Sequence, residues 1–250
     1  MRYALFSDVH AYPQALEKAL ADAAGQNVDF RICLGDVVGY GPDPVGAIDL
    51  CRERCEKVLS GNHDAAVVRQ ISTMFFIPFA KKAVSRHQGQ LDELHMDWLA
   101  ELPMSFINED FAAAHGEFHL RAGHPEAGFG YILSEWDAER TLDALPPEIK
   151  LVFVGHTHAA CVWRKGHSFA RLLPDKDFTL EPDFRYVVNV GSVGYPRNQY
   201  ETNYVIYDTE ERSVTFRHIP FDFDDYVVRL ERSGSGQPLW LTSYLADKHE

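Results

Sequence analysis

The sequence of 250 residues has no long apolar run, although 46% of its residues are hydrophobic. A helix that crosses a membrane needs roughly 20 consecutive apolar residues, so we expect no membrane-spanning segment. The apolar stretch at the amino terminus is short and is soon followed by Asp8, which does not fit a secretory signal. These features and the chain length predict a cytoplasmic protein with one domain over residues 1–250.

Blocks of basic residues are also missing. The chain has 24 Lys and Arg residues against 37 Asp and Glu residues, which gives a formal net charge of −13. Proteins that bind long nucleic acids neutralise phosphates with lysine and arginine, so this composition disfavours a dedicated DNA- or RNA-binding protein. Bound divalent cations would offset the negative charge locally, where an anionic substrate lies.

Cysteine is scarce, with four residues in the chain. Cys51 and Cys55 are four positions apart on a predicted helix, but no second cysteine pair completes a thiolate metal site. We therefore interpret all four cysteines as buried or half-buried thiols of a protein in a reducing compartment.

Strand and helix patterns alternate at the start of the chain. Short apolar runs predict strands at residues 2–7, 30–34 and 56–59, and helical periodicity predicts helices at 12–24 and at 44–54. Asp43 followed by Pro44 is typical of a helix start. This alternation favours a parallel α/β arrangement.

The pattern changes in the rest of the chain. Residues 65–102 are predicted to be mostly helical and 116–130 to form a loop, and a capping-box pattern places a helix start at Ser134. Strands are predicted at 105–108, 111–114, 151–154, 160–164, 168–173, 185–190, 203–207 and 213–219, and short helices at 224–231 and 238–248. Strands that follow one another after residue 160 favour antiparallel pairing.

Five of the predicted strands end in side chains that can bind a metal ion. These residues are Asp8 and His10, Asp36, Asn62 beside His63, His115, and His156 with His158. A lone histidine is more often structural than a ligand, but this ordered series is hard to explain by coincidence. We therefore expect the strand ends to converge on a pair of metal ions bridged by Asp36.

The chemistry of these side chains limits the choice of metal. Carboxylate oxygens, an amide oxygen and imidazole nitrogens suit Mn, Fe, Co, Ni or Zn, and suit Mg or Ca poorly. Two such ions about 3.5–4 Å apart can hold a phosphoryl group and activate a shared water molecule for attack on phosphorus. His63 is then free to act as general acid to the leaving oxygen, or to stabilise charge on the phosphoryl oxygens.

The ordered motifs resemble those of the calcineurin-like metallophosphoesterase superfamily, and in particular its small bacterial and archaeal phosphoesterases. The resemblance extends from Asp8 to about Arg197 and implies a four-layer α/β fold, with two mixed β-sheets flanked by helices. It also implies that Asp36 bridges two metal ions and that His63 is the catalytic histidine. One metal ion would be held by Asp8, His10, Asp36 and His158, and the other by Asp36, Asn62, His115 and His156.

The sequence departs from the family pattern in two of the motifs. Ala11 and Tyr12 follow His10 where Gly-Asn is common, and Ala114 replaces the usual glycine before the middle histidine. We expect both changes to affect the shape of the pocket and the substrate preference rather than metal binding.

Arginine occurs near the end of the resemblance but not where the protein phosphatases of the superfamily have it. Residues 39–43 contain no arginine, which disfavours a phosphoprotein phosphatase. Arg197 follows a glycine-rich segment, where it either contacts the substrate phosphate or forms a surface ion pair.

These features predict a metal-dependent phosphoric ester hydrolase that acts on small phosphodiesters or phosphomonoesters. The alternatives are a non-enzymatic metal-binding scaffold of the same fold, and a nuclease acting on short nucleic acids. The sequence leaves open the choice between monoester and diester, the native metal and the formation of a homo-oligomer. It also leaves open whether the aromatic residues 75–79 pack in the core, form a lid or mediate self-association, and what the 116–130 loop does.

Overall fold

The structure, a computed structural model, describes residues 1–167, 169–197 and 201–234. The predicted helix at 238–248 and the first residue of the predicted strand at 168–173 lie outside these residues. None of the helices within them is long and apolar enough to cross a membrane.

The described residues form seven helices and fourteen strands. The helices are α1 (Pro13–Ala24), α2 (Pro44–Arg54), α3 (Asn62–Val67), α4 (Pro78–Gln88), α5 (Glu93–Ala100), α6 (Glu135–Asp143) and α7 (Phe223–Arg232). The strands are β1 (Arg2–Phe6), β2 (Phe30–Cys33), β3 (Lys57–Val58), β4 (Ser105–Ile107), β5 (Ala112–Ala114), β6 (Glu117–Arg121), β7 (His124–Gly128), β8 (Leu151–Val154), β9 (Cys161–Lys165), β10 (Arg171–Leu173), β11 (Phe178–Thr179), β12 (Arg185–Asn189), β13 (Glu201–Asp208) and β14 (Ser213–Pro220).

Twelve of these strands form two mixed six-stranded sheets. The first has the order β11-β14-β13-β1-β2-β3, in which β1, β2 and β3 are parallel and the other pairs are antiparallel. The second has the order β10-β9-β12-β8-β5-β4, in which β5, β8 and β12 are parallel. The predicted α/β class with two mixed sheets is therefore confirmed.

Three clusters of buried side chains define four layers. Alternate residues of a strand point to opposite faces, so Leu5 of β1 faces Phe153 of β8 between the two sheets, while Phe6 faces outward. Helices α1, α2 and α7 cover the outer face of the first sheet through residues such as Leu16 and Ile48. Helix α6 covers the outer face of the second sheet. This is the helix–sheet–sheet–helix arrangement that the resemblance implied.

The predicted helix starts are present at both positions. The side chain of Asp43 accepts a hydrogen bond from the backbone N–H of Gly46, with Pro44 in the first turn of α2. At α6, the side chain of Ser134 accepts from the N–H of Asp137, whose carboxylate in turn accepts from the N–H of Ser134. These reciprocal bonds satisfy N–H groups that have no partner inside the helix.

The prediction of a loop at 116–130 is wrong, because β6 and β7 form an antiparallel hairpin there. Ala122 and Gly123 connect the strands with positive φ angles of 50° and 83°, the geometry of a tight two-residue hairpin turn. Pro125 is compatible with β7 because this two-stranded sheet leaves both strands with a free edge. The glycine, proline and histidine content of this segment is more typical of a loop than of strands, so the sequence did not indicate the pairing of β6 with β7.

The aromatic segment before α4 divides into two environments. Phe76 and Phe79 are half-buried and pack against the cluster outside the first sheet, whereas Met74, Phe75 and Ile77 are exposed. Core packing therefore explains only part of this segment. The cysteines are free thiols, of which Cys33 and Cys51 are buried, as the sequence predicts.

His87 on α4 connects this helix to the loop that follows β2. Its Nδ1 accepts a hydrogen bond from the N–H of Gly39 at 3.1 Å, and its Nε2–H donates to the backbone oxygen of Gly41 at 3.0 Å. Burial, with a smaller effect of the Arg86 charge, lowers the pKa of His87 from 6.5 to about 3. His87 is therefore neutral in the folded protein at neutral pH.

We predict that His87→Gln reduces the loss of stability on acidification. As the pH falls below 6.5, the unfolded chain binds a proton at His87 that the folded chain binds only near pH 3, so stability is lost over this interval. Between pH 6.5 and 5, the free energy of unfolding of the metal-free chain should fall by about 1.5–2 kcal/mol more than that of the variant. Denaturant unfolding at both pH values measures this difference.

The exposed His124→Gln variant is the matched control and should behave as the unsubstituted chain. Equal pH dependence of the unsubstituted chain and His87→Gln would contradict the prediction.

Candidate metal centre

The side chains that the sequence places after five strands meet at one edge of the two sheets. Their nitrogen and oxygen atoms form three overlapping groups, within each of which the atoms lie within 4.8 Å of one another. The groups are Asp8, His10 and His158; His10, Asp36 and His63; and Asp36, His115 and His156. All of these side chains are buried.

The first group contains two imidazoles whose orientation is fixed from behind. The Nδ1–H of His10 donates to the backbone oxygen of Val38 at 3.1 Å, and that of His158 donates to the backbone oxygen of Tyr195 at 2.8 Å. Each Nε2 therefore turns a lone pair into the site. The two Nε2 atoms lie 3.0 Å apart, and that of His158 lies 3.1 Å from Asp8 Oδ1. Three electron-pair donors at these distances favour a cation between them.

The third group, Asp36, His115 and His156, lies beside the first, and Asp36 connects the two because it also forms a group with His10. Asp36 Oδ2 is 3.3 Å from His115 Nε2, which is 3.2 Å from His156 Nδ1. The same Oδ2 atom is 3.7 Å from His10 Nε2 in the first group. Asp36 Oδ1 accepts a hydrogen bond from the backbone N–H of His63 at 2.8 Å, which holds the carboxylate in place. Asp36 thus stands between both groups.

Asn62 and His63 begin the short helix α3, a position that the sequence does not predict to be helical. Asn62 Oδ1 and His63 Nδ1 are buried atoms without a hydrogen-bond partner among the described residues. The His63 ring lies 5.0 Å from the His10 ring and 4.9 Å from the Phe76 ring, measured between centroids. An unpartnered amide oxygen at this place is a further candidate for a metal ligand.

The backbone at the strand ends is in the left-handed region. Five predicted ligand residues have positive φ angles, namely Asp8, His10, Asp36, His156 and His158, with values between 48° and 68°. Such angles are uncommon outside glycine, and they cluster at functional sites where surrounding structure holds them. Here they turn the side chains back toward the centre.

The two carboxylates are ionised in this environment. Burial by itself raises the pKa of Asp8, but the charges of His158 and His115 outweigh it and bring the pKa well below its usual value. For Asp36, burial is likewise outweighed by the charge of His115 and by the charge that His63 carries when it is protonated at acidic pH, and the pKa of Asp36 is lowered. Both side chains therefore carry negative charge at neutral pH.

The histidines respond to burial and to these carboxylates in different ways. Burial lowers the pKa of His63 and that of His156 to about 3, so both rings are neutral at neutral pH. Burial also acts to lower the pKa of His115, but the negative charges of Asp36 and Asp8 outweigh it and raise this pKa to about 9. In the metal-free chain, a proton on His115 offsets part of the negative charge of Asp8 and Asp36. The site is therefore suited to bind positive charge.

Asp64 is a positioning residue to which the sequence analysis gives no role. Its carboxylate accepts hydrogen bonds from the backbone N–H groups of Val38 at 3.0 Å and Gly61 at 2.9 Å, and a longer one from Val37 at 3.3 Å. These bonds tie the loop after Asp36 to the start of α3. The location of Asp64 directly after His63 is the only signal for this role in the sequence.

A second support comes from the glycine-rich segment after β12. The hydroxyl of Ser192 and the N–H of Gly194 donate to the backbone oxygen of Asp8, each at 2.9 Å. The side-chain amide of Asn189 donates to the backbone oxygen of Gly155 at 2.6 Å. This segment therefore holds the turns that carry Asp8 and His156.

All eight predicted ligand and catalytic residues are brought to this edge. Arg197 is exposed and lines the same cleft as Asn62 and His63. Among the described residues, no cluster of potential metal ligands includes four further histidines of the chain, His119, His124, His167 and His218. Tyr131 is an unpredicted neighbour, stacked on His156 at a centroid distance of 3.8 Å and an angle of 21°.

Comparisons with known proteins agree with this arrangement. The sequence profile of the calcineurin-like phosphoesterase family matches residues 1–160. An uncharacterized protein of Methanocaldococcus jannaschii is 29% identical over 241 residues, which cover 95% of this chain and 94% of that protein.

Solved structures with a similar fold include a metallophosphoesterase from Sphaerobacter thermophilus, with a TM-score of 0.79 and 32% identity over 98% of each chain. A hypothetical protein from Pyrococcus horikoshii has a TM-score of 0.74 and 16% identity over 94% of each chain, so its likeness concerns the fold.

Close packing at Gly155 leads to a prediction about the stability of the site. A Cβ atom at Gly155 would lie 2.0 Å from Ser7 Oγ and 2.5 Å from Asp8 Oδ2, both of which are buried. We expect Gly155→Ala to lower the free energy of unfolding by about 1–3 kcal/mol, because the Asp8 loop must shift. Gly25→Ala is the matched control, since its Cβ would meet only the backbone oxygen of Asp22 at 3.4 Å. Denaturant unfolding that gives equal values for both variants would contradict this expectation.

Proposed function

Because this chain belongs to the calcineurin-like phosphoesterase family, we propose that it is a hydrolase of small phosphate esters that works with two divalent cations. The observation that supports this proposal most directly is the place of Asp36. One of its carboxylate oxygens lies 3.7 Å from His10 Nε2 and 3.3 Å from His115 Nε2, so it faces both ligand groups. A bridging carboxylate of this kind is what a two-metal site requires.

The donor atoms fit such cations. Asp8 Oδ1 and Asn62 Oδ1 are buried without hydrogen-bond partners among the described residues, and burial of such atoms is unfavourable unless they bind something. We assign one cation to Asp8, His10, Asp36 and His158, and the other to Asp36, Asn62, His115 and His156. Imidazole, carboxylate and amide donors without thiolate favour Mn, Fe, Co, Ni or Zn.

The cations supply charge that stabilises the phosphoryl oxygens and lowers the pKa of water. The chain supplies the orientation. His10 and His158 are fixed through their Nδ1–H groups by two backbone oxygens, so their Nε2 atoms cannot rotate away. Asp36 is fixed by the N–H of His63, and the loop that carries it is fixed by Asp64. This rigidity places the ester in one orientation for hydrolysis.

His63 is the proposed catalytic residue. It lines the cleft beside Asn62. Of the three groups of potential ligands, His63 is a member only of the one with His10 and Asp36. Burial lowers its pKa to about 3, so the imidazole is neutral until an anionic ester lies against it. We assign it the uptake of a proton from solvent when the anionic ester binds. The imidazolium then donates an N–H hydrogen bond to the leaving or phosphoryl oxygen, and at the leaving oxygen it transfers this proton as the P–O bond breaks.

Arg197 and the size of the cleft favour a small anionic substrate. The cleft beside the site has a volume of about 410 Å³, which suits a small molecule. Arg197 lies in its lining and is the proposed contact for a substrate phosphate oxygen. The net charge of −13 disfavours long nucleic acids. A non-enzymatic scaffold would not need His63 at the cleft surface, so we prefer the enzyme.

Metal binding gives a direct test that does not depend on the substrate. We expect the metal-free chain to bind two equivalents of Mn or Zn per chain in calorimetry, with the bound metal confirmed by elemental analysis. Asp36→Asn should reduce this to one equivalent or fewer, because both sites lose the bridging charge. Asp110→Asn, an exposed carboxylate outside the cluster, is the control and should still bind two. A single equivalent in the unsubstituted chain would contradict the dinuclear site.

Substitution of His63 separates catalysis from metal binding. With a chromogenic phosphate diester or monoester, His63→Ala should lower kcat by about 10²-fold or more while the bound metal stays unchanged. His124→Ala, which changes an exposed histidine outside the cluster, should keep full turnover. If His63→Ala hydrolysed the ester as fast as the unsubstituted chain, His63 would not be the catalytic residue.

A further inference from the structure

The cleft beside the candidate metal centre has an aromatic lining that the proposed reaction does not require. On one side it reaches Asn62, His63 and His156 at the centre. Away from the centre its lining is contributed mainly by two segments, residues 71–77 before α4 and residues 129–131 after β7. The aromatic side chains of the lining are Tyr40, Phe75, Phe76, Phe129 and Tyr131.

Tyr40 gives this cleft a rigid inner surface. Its ring is nearly parallel to that of Tyr195, at 4.3 Å and 11°, and to that of Phe79, at 5.8 Å and 13°. Because Tyr40 is buried apart from its contact with the cleft, its ring cannot swing out to fill the space. The volume beside the centre is therefore preserved by the packing of the core.

Phe75 and Tyr131 are exposed to an extent that needs an explanation. The side chain of Phe75 is 89% exposed, the highest value among the large hydrophobic residues that the structure describes. Tyr131 is 50% exposed, and its stacking with His156 places its ring directly beside the metal centre. Aromatic surface that remains in water at the entrance of a cleft is typical of a ligand-binding site.

The electrostatic character of the cleft differs from that of the whole chain. The chain carries a net charge of −13, yet none of the described lining residues is a carboxylate, and Arg197 is among them. A ligand with an anionic end at the centre and an uncharged ring system fits this lining.

We propose that the cleft binds a planar aromatic group of the substrate, so that the enzyme prefers phosphate esters of aryl or nucleobase-containing alcohols over esters of simple aliphatic alcohols. The ring stacks on the exposed aromatic side chains, with Phe75 as a specificity-determining residue, while the phosphoryl group lies at the metal centre. This inference rests on the proposed function, because the metal centre fixes the position of the phosphoryl group.

Binding of phosphonates tests the inference without turnover, because their carbon–phosphorus bond is not hydrolysed. Calorimetry on the metal-loaded chain would compare methylphosphonate, which reports on the anion site alone, with phenylphosphonate, which adds one ring. We expect phenylphosphonate to bind at least tenfold more tightly. Phe75→Leu should reduce this ratio at least threefold while the Kd of methylphosphonate changes less than twofold, and Phe75→Trp should preserve the ratio.

Phe169→Leu is the matched control, since Phe169 is 78% exposed but does not line the cleft.

A third ligand, a nucleoside 5′-phosphonate, distinguishes the two sources of the ring. Tighter binding than phenylphosphonate supports the proposal with a nucleobase as the bound group, and weaker binding supports it with a small aryl group.

Equal Kd values for methylphosphonate and phenylphosphonate would overturn the inference, and so would a ratio that Phe75→Leu does not change. In both cases, metal-dependent methylphosphonate binding would leave the proposed function intact. If no phosphonate bound to the metal-loaded chain and no ester were hydrolysed, the proposed function would fall and the inference with it.

Discussion

The structure depends on the burial of several electron-pair donors at one point. Asp8 Oδ1 and the Nε2 atoms of His10 and His158 face one another at 3.0–3.6 Å, while the Nδ1–H groups of both rings are used elsewhere. This arrangement is unfavourable without a positive charge in its centre. The fold maintains it with left-handed backbone at five of the proposed ligand positions and with backbone hydrogen bonds behind each ring. Such strain is tolerated where binding of a cation compensates for it.

The support for this centre comes from the whole described chain rather than from the ligand-bearing part alone. Ser192 and Gly194 donate to the backbone oxygen of Asp8, and β1 lies between β2 and β13 in the first sheet. The family match ends at residue 160, but these later contacts hold the loop that carries Asp8, a proposed ligand. The candidate site is therefore completed only when strands distant in sequence have paired.

The sequence allowed the fold class and the candidate ligands to be predicted because both depend on local signals. Parallel strands that end in Asp8, Asp36 or His156 bring those side chains to one edge, and the starts of α2 and α6 follow from Asp43 and Ser134. Other features depend on tertiary contacts that no local pattern encodes. The positive φ angles of non-glycine residues are one example. The hairpin at 117–128 was hidden by composition, and the stacking of Tyr131 on His156 joins segments that have no periodic relation.

The aromatic walls of the cleft lie outside both six-stranded sheets. Phe75 belongs to the connection between α3 and α4, and Tyr131 follows the separate hairpin. Neither segment supplies a candidate ligand, so their sequences can diverge without disturbing the strand ends that do. Related proteins with this architecture could therefore acquire new substrates through substitutions in these two connections, while the residues at the strand ends stay the same. Such separation of recognition from chemistry would give the scaffold a high capacity to evolve.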